Sequence, residues 1–147
     1  MSFLDSMNIS ATALSATRLR MDVISENIAN SNTTRTETGE PYRRKYVVYQ
    51  ERIDRRYDRT FASFFNRALA SPGGVRVVEI GTDMTDLKYD YNPTHPDADE
   101  NGYVRMPNVE VVQEMVDMMS AYRTYEANIT ALNAFKDMAM KTLELGK

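Results

Sequence analysis

The chain of 147 residues contains no cysteine and one histidine, and its formal net charge is -3. This length favours one compact domain, because a folding unit commonly takes about 100–200 residues, and 42% hydrophobic with 27% charged residues excludes wholesale disorder. The missing cysteines exclude disulfide frameworks, thiolate metal sites and cysteine nucleophiles, while a single histidine argues against catalytic triads and multi-histidine metal sites.

The first predicted element is a long helix over residues 3–29, where apolar side chains recur at steps of three and four residues. No glycine or proline interrupts it, and the asparagine- and threonine-rich segment that follows favours a cap and a turn. Asn27 and Asn30 share one helical face, so they are candidates either for hydrogen bonds that fix the helix end or a lateral neighbour, or for plain cap and turn roles. The apolar seam consists of Leu4, Met7, Ala11, Leu14, Met21, Ile24 and Ile28.

The middle segment, residues 35–107, is predicted to be β-rich. It holds all five prolines and five of the six glycines, so turns are confined to this part of the chain. Phenylalanine, alanine and leucine at helical spacing predict one short helix over residues 61–69. The predicted strands, chosen for β-branched and aromatic content, are 42–53, 74–80, 87–91 and 103–106.

The last predicted helix spans residues 108–145 and has the most regular apolar pattern of the chain. Asn108 is the predicted N-cap, Glu110 suits the first turn, and Gly146 is placed to end the helix. Such a helix would be on the order of 50 Å long, and one apolar seam buries little inside a monomer. We therefore expect both terminal helices to become fully ordered only when partners cover them. The seam, broken only at Lys136, consists of Val111, Met115, Met118, Tyr122, Tyr125, Ile129, Leu132, Ala139 and Leu143.

Residues 97–104 match the first half of a calcium-binding loop, with Asp, Asp, Asn and Gly at positions one, three, five and six. Position twelve is Asn108, which cannot supply the bidentate carboxylate, and two nearby prolines exclude the entering helix. We expect a tight polar turn leading into a strand, with calcium binding as the alternative. His95, between two prolines and followed by Asp97, is expected to be a structural hydrogen-bonding residue, because no second histidine or cysteine completes a metal site.

A basic run between residues 43 and 67 interleaves arginine and lysine with aromatic side chains. In nucleic-acid-binding proteins, basic side chains bind along the phosphate backbone and aromatic rings stack on the bases. Acidic side chains within the run reduce its positive charge, and the chain as a whole is acidic. We favour a solvated face, or a charged contact to an acidic neighbouring subunit, over nucleic-acid binding. The basic members are Arg43, Arg44, Lys45, Arg52, Arg55, Arg56, Arg59 and Arg67.

No set of residues forms a catalytic constellation. Carboxylates are abundant, but none accompanies a suitable nucleophile or a glycine-rich phosphate loop. We therefore predict no enzyme activity, no cofactor and no small-molecule substrate. No stretch approaches the roughly 20 apolar residues of a membrane helix, and the N-terminus lacks the basic start and apolar core of a secretory signal, so neither membrane insertion nor Sec export is predicted.

Motifs at both ends carry a family resemblance. Residues 25–33, closing the first helix, and residues 123–128, inside the last, resemble the flagellar rod and hook axial proteins. Within that family, residues 39–45, 92–104 and 107–109 are similar to a proximal-rod subunit. The residues of these motifs that we single out are Asn27, Ala29, Asn30, Thr33, His95, Pro96, Asp97, Gly102, Tyr103, Pro107, Asn108, Arg123, Tyr125, Glu126, Ala127 and Asn128.

The resemblance implies a structural, non-enzymatic subunit of the bacterial flagellar rod, the periplasm-spanning part of the basal body. It implies self-association in a helical tube whose inner layer is formed by the terminal helices. The implied partners are other rod subunits, the base junction protein and the flagellar type III export apparatus, which would pass the chain unfolded and without a cleaved signal.

Together the patterns predict an α+β chain in which long N- and C-terminal helices form a coiled-coil assembly domain around a small β-rich insert. The predicted divisions are an N-terminal assembly helix with its asparagine-rich motif over 1–34, a β-rich segment over 35–107, and a C-terminal assembly helix over 108–147 that packs with the first. A calcium- or nucleic-acid-binding module is the alternative function.

Overall fold

The computed structural model describes residues 3–52 and 73–145, with side chains from residue 5 onward. Two long helices lie at the two ends of the chain, and two small two-stranded sheets lie between them in sequence, β1 with β2 and β3 with β4. This arrangement confirms the predicted α+β class. The helix predicted over residues 61–69 lies outside the described residues. The elements are α1 (Phe3–Ala29), β1 (Lys45–Glu51), β2 (Val75–Thr82), β3 (Lys88–Tyr91), β4 (Tyr103–Met106) and α2 (Val111–Leu145).

The chain divides into two compact units, and each contains part of both helices and part of the middle segment. The first comprises Met1–Arg18, Tyr49–Val78 and Arg123–Lys147, and the second comprises Leu19–Val48 and Glu79–Tyr122. The two units are described separately below.

In the first unit, polar groups on α1 bind the strands. The Thr12 hydroxyl donates to the Ile9 carbonyl and accepts a hydrogen bond from the Val75 amide at 3.3 Å. Gly74 has φ +92°, and a Cβ there would collide with the Thr12 hydroxyl, so only glycine lets the chain enter β2 this close to the helix. Ala16, one turn further along α1, is buried.

The second unit contains the β3–β4 hairpin and most of the buried apolar side chains found in the described residues. The hairpin is antiparallel, with Tyr91 opposite Tyr103, and the two rings meet edge to face with centroids 5.3 Å apart. Val104, on the inner face of β4, is 1% exposed. Val23 and Ile24 of α1 are also buried.

The segment between β3 and β4 is a tight polar turn, as predicted. One carboxylate oxygen of Asp99 accepts from the amides of Asn101 and Tyr103, at 3.0 and 2.9 Å. Asp97 accepts from the Thr34 hydroxyl at 2.8 Å, and its amide donates to Nδ1 of His95 at 3.1 Å. The structural hydrogen-bonding role expected of the histidine is therefore confirmed. The Asp99 carboxylate folds the turn, and the Asp97 carboxylate attaches it to the segment after α1.

The N-cap prediction for Asn108 is wrong. The helix begins at Val111, and the first turn closes when the Glu114 amide donates to the Glu110 carbonyl at 3.0 Å, so Glu110 precedes the helix. The Asn108 side chain instead accepts from the Arg44 amide at 2.8 Å and donates to the Asp83 carbonyl at 3.0 Å. An amide can donate and accept at once, and joining these two backbone segments uses both functions.

Candidate functional site

The most highly connected group of side chains in the described residues is a buried polar cluster in the second unit. It is contributed by the C-terminal end of α1, by the segment leading into β1 and by the first turn of α2. We call these residues the polar cluster: Asn27, Tyr42, Arg44, Lys45 and Glu114.

Asn27 is the centre of this cluster and is fully buried, with 0% exposure. Its amide nitrogen donates to the Lys45 carbonyl at 2.8 Å and to the Glu114 carboxylate at 3.0 Å. Its amide oxygen accepts from the Tyr42 hydroxyl and from the Lys45 amide, both at 2.9 Å. All hydrogen-bonding capacity of the side chain is therefore satisfied within its own chain. Asn30 differs, because its nitrogen bonds only the Glu26 carbonyl one turn back, as a local turn residue does.

Glu114 carries a negative charge into the same site and is 1% exposed. One carboxylate oxygen accepts from Asn27, and the other accepts from Nε of Arg44 at 2.6 Å. Arg44 lies 3.8 Å from Asp117, which also lies 3.6 Å from Arg20 of α1. A buried carboxylate is tolerated only when it is paired and hydrogen-bonded, and these contacts meet that requirement. They join α1 to the start of α2 within one chain.

The electrostatics of the cluster keep Tyr42 protonated. Burial, followed by the nearby negative charges of Glu26 and Glu114, raises the pKa of Tyr42 to about 12. The neutral hydroxyl is the form that can donate to Asn27. The Lys45 ammonium ion-pairs with Glu26 and lies 5.6 Å from the centroid of the Tyr42 ring, so a cation also contacts the ring face.

The loop before β3 is tied to the cluster through Asp83 and Asn108. The pKa of Asp83 lies below its usual value, chiefly because the Thr85 amide donates to its carboxylate, with further help from Arg44 and Arg43. Arg43 itself donates to the Thr85 carbonyl at 3.2 Å. The basic residues at the start of the predicted basic run are therefore used in internal contacts, and its members from Arg55 to Arg67 lie outside the described residues.

The predicted seam of α2 divides into two rows with different environments. The inner row, at one heptad position, is half-buried, and the outer row, at the other heptad position, is exposed. The reason is that the inward face of the helix keeps the inner row but pairs it with the row of Glu114 and Ala121, which are buried, so Met115 and Tyr122, about 100° further round the helix, turn outward. The inner row is Val111, Met118, Tyr125, Leu132 and Ala139; the outer row is Met115, Tyr122, Ile129 and Leu143.

The seam of α1 is covered more evenly. Ile24 is buried and Ala11 is exposed, and the side chain of Leu4 lies outside the described residues. Buried positions also include Ser10 and Thr17, which the apolar pattern could not indicate because they are polar. The half-buried members are Met7, Leu14, Met21 and Ile28.

An exposed apolar stripe runs along the first half of α2, on the side away from Glu114 and Ala121. Its five members are spaced to lie on one helical face and are between 50% and 68% exposed. The sequence prediction missed three of them, although the consecutive apolar pairs 111–112, 115–116 and 118–119 were a visible sign. We call this surface the outer stripe: Val112, Met115, Val116, Met119 and Tyr122.

The motif residues of α2 that follow the outer stripe differ in exposure, and Tyr125 and Asn128 are half-buried. Arg123, Glu126 and Ala127 are exposed, and Asn128 donates to the Thr124 carbonyl one turn back at 2.9 Å. Within residues 3–52 and 73–145 no group of three or more histidine or acidic side chains could hold a metal ion. No described helix combines the length and apolar character needed to cross a membrane.

Comparison with known proteins points to one family over the whole chain. Residues 7–35 match the family described as Flagella basal body rod protein, and residues 100–145 match the Flagellar basal body rod FlgEFG protein C-terminal family. The chain is 48% identical to the flagellar basal-body rod protein FlgC of Bacillus subtilis, over 97% of each chain. It is 43% identical to FlgC of Borreliella burgdorferi, over 99% of this chain and 98% of that one. Identity to FlgC of Salmonella typhimurium is 41%, over 100% of both.

Proposed function

This chain belongs to the FlgC family of flagellar basal-body rod proteins, and from that premise we propose that it polymerises in the proximal rod through the outer stripe of α2. It is a structural subunit of the basal-body rod and not an enzyme. The proposal concerns the surfaces that a subunit uses, because the polar cluster is fully satisfied within one chain and the outer stripe is not covered.

The exposed outer stripe is the observation that supports this proposal. Burial of half-exposed valine, methionine and tyrosine side chains against a neighbouring subunit lowers the free energy of the assembly, because it removes apolar surface from water. Covering the remaining surface of five such side chains is worth on the order of 5 kcal/mol. Since association costs several kcal/mol in lost freedom, one stripe is too small for a stable dimer, and contacts to several neighbours at once are needed. A helical assembly with head-to-tail contacts supplies them.

The proposal also concerns how well ordered α2 is in the free monomer. The helix has 35 residues, and only Glu114 and Ala121 are buried among those described. Such a helix has little packing to hold it in a monomer, so it becomes fully protected when neighbours cover the outer row. In this proposal the inner row packs within the chain, as a short coiled coil with α1, and the outer row packs between chains.

The partners and location follow from the same proposal. The subunit contacts other rod subunits and the base junction protein, lies in the periplasm-spanning rod, and reaches it unfolded through the flagellar export apparatus without a cleaved signal. The family resemblance supports these statements, and a weakly held α2 suits a chain that must be unfolded for transport.

The test places a charge on the outer stripe and counts subunits in isolated basal bodies. Met115→Lys is expected to leave the monomer's urea midpoint unchanged, since the side chain is 51% exposed, and to abolish incorporation. Gln113→Lys, an exposed position two residues away on the same helix, is the matched control and should be incorporated normally. Normal incorporation and motility of the Met115→Lys strain would overturn the proposal.

A further inference from the structure

A cavity of about 210 Å³ in the second unit is not used by the polar cluster or by the outer stripe. It lies between the turn after α1 and the segment leading into and along β4. Its charged lining groups are Arg35, Asp97 and Arg105, and smaller residues complete the wall: Thr34, Gly39, Pro41 and Ala98.

The charge of this cavity is unbalanced. Two guanidinium groups face one carboxylate, so the lining carries one net positive charge. The Asp97 carboxylate accepts from Thr34 at 2.8 Å, but its distance to Arg35 is 3.9 Å, too long for a hydrogen bond. Arg35 is 72% exposed, so its donors remain available to a ligand.

Arg105 is the stronger binding group. It lies on β4, whose backbone pairs with β3 opposite Tyr89, so its Cα position is fixed by the sheet. Its side chain is exposed, and the ion pairs found in the described part of the chain do not include it. A planar guanidinium with five donors, outside the ion pairs of residues 3–52 and 73–145 and at the wall of the cavity, suits the fork geometry of a carboxylate.

We propose that this cavity binds a carboxylate carried by an acidic segment of a neighbouring rod subunit. The proposal rests on the proposed function only for the source of the ligand. This chain is itself acidic, with 21 aspartate and glutamate residues against 18 lysine and arginine, so copies that meet in a rod bring carboxylates to one another. A positive cavity then selects the orientation of the neighbour and raises the rate of docking more than the affinity.

The first test measures binding to the dilute monomer by NMR chemical-shift changes. The probe is an N-acetylated Asp-Glu-Asp peptide amide, with its Asn-Gln-Asn counterpart as the uncharged control. The charged peptide alone should shift the amides around residues 34–39 and 97–105, with weaker binding at higher salt. Arg105→Gln should weaken it about fivefold to tenfold. Arg123→Gln, which removes an exposed arginine of α2, should leave it unchanged.

Acetate and phosphate in the same titration separate a general anion site from one that needs a peptide. Shifts with small anions equal to those with the peptide, or equal peptide binding by the Arg105→Gln variant, would overturn the proposal. A second test uses incorporation into basal bodies. Arg105→Glu should reduce incorporation while leaving the urea midpoint unchanged. If Met115→Lys blocks incorporation and Arg105→Glu does not, the cavity proposal fails while the outer stripe proposal stands.

Discussion

Substitution of Glu114 by glutamine tests the polar cluster directly. The change keeps the shape of the side chain and replaces one oxygen by an NH₂ group. Both oxygens now accept hydrogen bonds, one from Arg44 and one from Asn27. Whichever way the new amide turns, its NH₂ faces a donor, so one hydrogen bond is lost and the Arg44 charge loses its nearest partner.

The expected loss in free energy of unfolding is about 2–4 kcal/mol. Leaving a buried donor unsatisfied costs about 1–3 kcal/mol, and removing one member of a buried ion pair costs about 3–5 kcal/mol. The upper part of that range does not apply, because Arg44 retains Asp117 at 3.8 Å and is 28% exposed, so water screens its charge.

The assay is equilibrium urea unfolding of the monomer, followed by far-ultraviolet circular dichroism. Glu144→Gln, an exposed glutamate near the end of the same helix, makes the same chemical change without buried partners and should be close to neutral. Hydrogen exchange should report faster opening of the amides at the end of α1 and the start of β1 in the Glu114→Gln variant. A loss below about 0.5 kcal/mol, or equal effects of the two substitutions, would refute the argument that the cluster holds the unit together.

The remaining predictions concern alkaline pH and a turn. The pKa of Tyr42 is raised to about 12, against an ordinary value of about 10, so the folded state holds the hydroxyl proton more tightly than the unfolded state does. The contribution of Tyr42 to the stability of the fold is therefore complete below about pH 10 and is lost between about pH 10 and 12. The difference in urea midpoint between the wild type and Tyr42→Phe should therefore close across that window; a gap that stays constant would contradict the cause we assign. Gly102→Ala should lower the free energy of unfolding by about 1–2 kcal/mol, measured by thermal denaturation, because the φ of Gly102 is +81° and the new Cβ would lie 3.0 Å from the Tyr91 ring. Gly39→Ala, with φ +82° and open space, isolates the backbone part; an equal loss there would show that the ring contact contributes nothing.

The elements that sequence predicted well are those with a strong local pattern. The first helix was expected over residues 3–29 and spans Phe3–Ala29, because an uninterrupted apolar repeat ends at a cluster of asparagine and threonine. Strand β4 was also expected at its observed bounds, since a glycine turn precedes it and Pro107 follows it. In both cases the signals that start and stop the element lie within a few residues of it.

The polar cluster could not be predicted in the same way. Asn27 and Glu114 are separated by 87 positions, and no local pattern relates them. The sequence did contain a sign, because Glu114 and Asp117 place charges in a largely apolar helix start, and such charges need partners if that face is covered. The orientation of α2 follows from this pairing: once Glu114 turns inward, Met115 must turn outward.

The composition of the polar cluster also determines how the second unit responds to temperature. Unfolding exposes apolar surface, which raises the heat capacity, and polar surface, which lowers it. At the point where α1, β1 and α2 meet, the buried groups are the amide of Asn27 and the carboxylate of Glu114, so exposing them lowers the heat-capacity change. The free energy of unfolding of this unit therefore varies less steeply with temperature than that of a unit of equal size closed by leucine and isoleucine.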